Sequence, residues 1–216
     1  MEDNKENDYN ALTEAQVQMC RSFTATIGQN SHHPCLFTRR FNKKKKKYTY
    51  YLYSADEQFV FAGATTLGEE HVFTISSNTN DFANKKWCLG TLQNTLNNLF
   101  TGIFISHETQ DCSYHNSIQI ALNPNQKTIQ VKIAPPGQTK FIFVDGNSAE
   151  LKPWILTQSK DPYVISNDLN FVLNYNGILS FNFIQVHNDE FQVQCGYPLS
   201  LFQSFCICVA VVSSMT

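Results

Sequence analysis

The sequence predicts a mainly β protein, an antiparallel sandwich or closed barrel, whose sheet is filled by an apolar helix near the C-terminal end. Three observations lead there. Eleven short segments read as strands, and several of them alternate apolar and polar residues as half-buried strands do. Turn chemistry ("NPNQ", "PPGQ", "DGNS", "NYNG") separates them with no helical segment between, which favours antiparallel pairing over an α/β arrangement. The stretch "YPLSLFQSFCICVAVV" at 197–212 then breaks the pattern, because it has no polar face.

The chain has 216 residues, enough for one sizeable core or two small ones, and shows no internal repeat. Phe (17) and Tyr (9) are plentiful and only 16% of residues are charged, a mix that leans toward strands. A net charge of −2 argues against a polycation that seeks nucleic acid. Seven cysteines without a CxxC pair, no Asn-X-Ser/Thr sequon and an acidic start without a signal-peptide pattern point to reduced, mostly buried thiols in an intracellular protein.

Residues 1–10 have the composition of a disordered leader. In "TEAQVQMCRSF", Thr13 and Gln16 have capping-box spacing and Val17, Cys20 and Phe23 form a short apolar stripe, so one short helix is expected. From about Cys35 strands take over: 48–53, 59–63, 71–76, 102–106, 117–122, 128–133, 140–144, 154–157, 170–175, 178–186 and 190–195. The expected division is a polar leader with a short helix at 1–34 and a barrel domain at 35–216.

The last segment is read as a helix over 199–212 with Pro198 in its first turn. At about 14 residues it falls short of the roughly 20 that a spanning helix needs. A helix apolar on every side has to be surrounded, and in a chain of strands the surround is the sheet. A tail anchor or a buried strand pair are the alternatives, and Cys206, Cys208 and the valines weaken a pure helix reading.

In order and in detail the chain resembles the tubby C-terminal domain family. "YPLSLFQSFCICVAVVSS" is similar to that family's ending, "FVLNYNG" and "FNFIQVHND" to two of its late strands, "YTYYLYSADEQFVFAG" to its early hairpin, and "CLGTLQNTLNNLFTGIFI" occupies the place of its "KLRSN" segment. The likeness runs over about 35–214 and is weak from about 107 to 160. It implies a closed antiparallel barrel around a central hydrophobic helix, no enzymatic activity, no cofactor, and peripheral binding to phosphoinositides, chiefly phosphatidylinositol 4,5-bisphosphate. It further implies a monomer at the cytoplasmic face of a membrane. By family analogy alone, it also implies recruitment of membrane or ciliary cargo.

The family's lipid pocket uses Lys and Arg just after the early hairpin and the Arg of "KLRSN". Here the matching positions hold Thr65, Thr66 and Gln93, with Glu69 and Glu70 nearby. Losing several charge-assisted contacts of about 1.5–3 kcal/mol each removes most specific headgroup affinity. The substitute is "RRFNKKKKK", where Arg39, Arg40, Lys43, Lys44, Lys45, Lys46 and Lys47 form a polybasic loop. Lys85 and Lys86, beside Trp87 as an interfacial aromatic, are expected near the same end. A plain solvated loop and a nuclear-localisation signal are the other readings of the run. A protein–protein adaptor without lipid binding is the alternative function.

Other chemistry is weaker. "GATTLGEEH" has phosphate-loop spacing, but Glu69 stands where Lys is needed. His32 and His33 beside Cys35 lack a second ligand pair at zinc spacing, so they read as a surface loop. His107, Cys112 and His115 fall in a polar loop rather than a nucleophile–base arrangement, and no GxSxG or HExxH pattern is present.

Overall fold

A computed structural model describes residues 18, 21–44, 46–66, 69–79, 81–82, 87–96, 98–106, 113–123, 128–133, 154–158, 170–175 and 178–214. Among them, twelve strands form one antiparallel sheet: β1 (His32–Asn42), β2 (Lys47–Ser54), β3 (Phe59–Thr66), β4 (Glu69–Ser76), β5 (Cys88–Leu96), β6 (Leu99–Ser106), β7 (Ser113–Asn123), β8 (Thr128–Ile133), β9 (Trp154–Gln158), β10 (Asn170–Tyr175), β11 (Ile178–His187) and β12 (Glu190–Gly196). Each strand pairs with the next in sequence, and β1 pairs with β12 (Phe37 opposite Phe191) as well as with β2 (Phe37 opposite Leu52).

Ten of the eleven expected strands are present, most with longer ends, and 140–144 lies outside the described residues. Two strands were not expected. β5 has its alternation blurred by Gly90 and by polar residues on both faces. β1 begins "HHP" and ends in a charge run. Pro34 is tolerated there because it pairs with Gln194 of β12 and lies before Cys35, the first residue paired to β2. His32, His33, Arg39 and Arg40 are therefore strand residues, a correction to the two loops expected for them.

The C-terminal helix is Leu201–Ser213, starting two residues later than expected. Ser200 is the N-cap, so Pro198 precedes the helix instead of opening it. The Ser200 side chain accepts from the Gln203 backbone N–H (3.2 Å), and the Ser200 N–H donates to Gln203 Oε1 (3.0 Å). The Gln203 amide also donates to the Ser117 carbonyl of β7 at 3.0 Å, and Ser204 Oγ donates to the Ser200 carbonyl at 2.9 Å. The polar groups of the first turn are thus paired although Ser200, Gln203 and Ser204 are buried.

Every residue from Phe202 to Val212 is buried. Phe205 meets Phe37 of β1 and Phe61 of β3 at centroid distances of 5.9 and 5.6 Å, and Phe202 meets Phe104 of β6 edge-on at 5.7 Å. Close approach requires glycine at two strand positions. A Cβ on Gly90 would lie 2.2 Å from the Ile103 carbonyl oxygen and 2.8 Å from the Phe202 ring. One on Gly102 would lie 2.5 Å from Ile118 and 3.2 Å from Cys206 Sγ. Burial pushes the thiols of Cys206 and Cys208 far up, which leaves them packing groups rather than nucleophiles.

Residues 18 and 21–24 are helical, in the region where a short helix was expected, and the Phe23 ring stands edge-on to Phe61 at 4.8 Å. The proposed cap pair Thr13 and Gln16, with Val17 and Cys20, lies outside the described residues. Among the described residues, no helix is long and apolar enough to cross a membrane.

Candidate functional site

The strand registers sort the molecule into two ends. Asn42 pairs with Lys47, Thr66 with Glu69, Leu96 with Leu99 and Asn123 with Thr128, while His187 pairs with Glu190. Antiparallel pairing carries all five hairpins to one end of the sheet, called here the hairpin end. The helix runs toward it: Phe202 lies against Gly90 near the start of β5, whereas Phe205 and Val209 lie against Gly63, farther along β3. The carbonyl end of the helix dipole therefore points toward the hairpin end, where cations are favoured.

The β1–β2 hairpin brings the basic residues of the run to this end. Its turn is held by an Asx-type bond from the Lys44 N–H to Asn42 Oδ1 (3.1 Å) and by Lys46 at a φ of 50°. Arg40, Lys43, Lys44 and Lys46 are exposed and Lys47 is half-buried. Among the described residues, none of the four lysines has an ion-pair partner, and Lys45 lies outside those residues. Arg40 stacks its guanidinium over Tyr51 on the diagonal, 5.1 Å from the ring centroid, which holds the charge up without neutralising it.

Arg39 differs. Its side chain is 16% exposed, Nε donates to Asp189 Oδ1 at 2.8 Å, and the guanidinium covers Tyr48 at 4.5 Å. This cation pins β1 to the β11–β12 turn and is occupied within the fold. Beside it, burial pushes the Tyr50 phenol up to about 12, against the opposing pull of Arg39.

Thr65 and Thr66 sit one strand away, since Thr49 pairs with Ala64 and the next residues toward the hairpin end are Tyr48 and Thr65, whereas Gln93 is on β5, two strands farther. They do not share a face. Thr65 has the parity of Phe61 and Gly63, which face the helix, and its Oγ1 is buried without a partner among the described residues. Thr66 lies on the outer face, its hydroxyl bonded to that of Thr74 at 2.8 Å. Gln93, paired with Val72 and Thr101, is also outward and exposed. What remains at the surface is the Thr66 hydroxyl and the Gln93 amide, with the exposed Glu69 paired opposite Thr66.

Trp87 corrects a further expectation. It immediately precedes Cys88, which pairs with Ser76 at the end opposite the basic hairpin, so it is no interfacial partner for that hairpin. Lys85 and Lys86, like His107 and Cys112, lie outside the described residues. Alternation alone hid this separation, because the end a residue reaches depends on how many strands precede it.

Compared with known proteins, the chain matches no family model and no curated protein.

Proposed function

We propose that this chain is a non-enzymatic tubby-like module, a closed barrel around its helix, that binds anionic phosphoinositide membrane surfaces peripherally and recruits membrane or ciliary cargo there. The barrel reading is supported by β1 pairing with both β2 and β12 and by a helix buried on every side. The membrane reading is carried by one observation: Arg40, Lys43, Lys44, Lys46 and Lys47 project from a single hairpin, with no counter-ion on the lysines among the described residues. Each basic residue near an anionic leaflet contributes about 1 kcal/mol within a Debye length. Binding of this kind is weak, poorly selective among anionic headgroups, and sensitive to salt.

Co-sedimentation with phosphatidylcholine vesicles carrying phosphatidylinositol 4,5-bisphosphate tests it. Pelleting is expected to fall steeply with salt and to be lost when Lys43–Lys47 become Gln. Salt-insensitive pelleting, or none, removes the lipid reading. The loss of cations at Thr65, Thr66 and Gln93 favours a second reading, an adaptor that keeps the scaffold without lipid binding, and absent pelleting by a folded protein would select it.

A further inference from the structure

We infer that the chain docks on the membrane end-on and drives two apolar side chains, Phe41 and Leu96, below the phosphate level. This rests on the membrane reading above and adds to it an orientation and a hydrophobic contact that charge alone does not supply.

Among the described residues four large apolar side chains are exposed: Phe41 (50%), Leu96 (71%), Val186 (38%) and Ile178 (42%). Single exposed apolar residues are ordinary. Their placement is not scattered, however. Phe41 is in the β1–β2 hairpin one residue from its turn, Leu96 closes β5 at the β5–β6 turn, and Val186 lies beside the β11–β12 turn, all at the hairpin end. Ile178, the first residue of β11, is at the other end.

Both leading tips are braced. Phe41 packs its ring, tilted, against Tyr48 at a centroid distance of 5.0 Å, next to the Asx-type turn. At the β5–β6 turn, Thr95 Oγ1 donates to the Leu99 carbonyl at 3.2 Å, Asn98 holds a φ of 72°, and its carbonyl accepts from the Leu122 N–H at 2.8 Å. A tip fixed in this way loses little freedom on entering the interface.

The charges at this end select the occupant. Arg40 and the lysines flank Phe41. Against them stand Glu69, Asp189 and Glu190, of which Asp189 is paired with Arg39. A neutral apolar tip beside unpaired cations, with a second apolar tip at the same end, fits an anionic bilayer, which offers phosphates at the depth of the ammonium groups and hydrocarbon about 5–10 Å below. Glu69, on the hairpin between the two tips, opposes the approach, and the cations of the β1–β2 hairpin outnumber it.

The test places a tryptophan at three exposed positions in the full chain: Phe41→Trp, Leu96→Trp and Ile178→Trp. Each is mixed with the same phosphoinositide vesicles, their phosphatidylcholine now brominated near the top of the acyl chains, and fluorescence is compared with the parent protein. The added emission is expected to be quenched for Phe41→Trp and Leu96→Trp but not for Ile178→Trp. In addition, Phe41→Ser with Leu96→Ser should weaken vesicle affinity about tenfold, in keeping with half-buried apolar side chains. Pelleting without quenching at either tip overturns insertion and leaves the membrane reading standing. Quenching at Phe41→Trp alone, or equally at Ile178→Trp, overturns the end-on arrangement. Absence of pelleting in the parent protein overturns the membrane reading and this inference together.

Discussion

Arg39 Nε donates to Asp189 Oδ1 at 2.8 Å, joining the first strand to the last hairpin across 150 positions of chain. The Arg39 N–H also donates to the Asp189 carbonyl at 2.9 Å, so side chain and backbone close the same contact. Asp189 is 47% exposed, which limits the ion pair to a surface-like contribution. Arg39→Ala should destabilise the fold by about 1–2 kcal/mol, most of it from the lost cover over Tyr48. Asp189→Asn should cost about 0.5 kcal/mol. Denaturant unfolding of both variants and their double mutant checks this, and a coupling energy above about 1.5 kcal/mol would contradict it.

Phe205 gives the sharpest test of the core, because it touches β1 and β3 at once. Phe205→Asp puts a charge without a partner among apolar rings and should leave the protein insoluble. Phe205→Leu should fold with a loss of about 1–3 kcal/mol. Soluble, cooperatively folding Phe205→Asp protein would show that the helix does not fill the sheet.

Tyr50 makes stability fall at high pH. Its phenol is held up to about 12 by burial, above the ordinary value of 10, so between the two the folded state keeps a proton that the unfolded state gives up. The unfolded state therefore binds fewer protons in that window, and the free energy of unfolding drops as pH rises from about 10 toward about 12. Below that window the residue adds no pH dependence. Melting temperatures across it should decline, and Tyr50→Phe should flatten the decline. An unchanged slope in that variant would assign it to other groups.

Much of this was legible in the residues. Phe181, Phe183, Phe191 and Val193 alternate with polar neighbours, and the strands holding them follow directly. The helix was legible because its residues have no polar face, and Ser200 with Gln203 already carries the box spacing, although Pro198 drew the expected start two residues early. The first strand was missed because a proline and seven cations obscure Cys35, Leu36 and Phe37. The distinct state of Arg39 was beyond local reading, since it depends on a partner far away in the chain. The split of Thr65 from Thr66, by contrast, follows from strand alternation and was readable once β3 was extended to them.

The order of the elements sets a constraint on biosynthesis. As the chain leaves the ribosome, the twelve described strands emerge before the segment that packs against them, and the first must wait for the last to gain its second partner. For that interval the nascent polypeptide carries an oily concave surface and open strand edges, the features that invite aggregation. A premature stop just before Leu201 would make that exposure permanent.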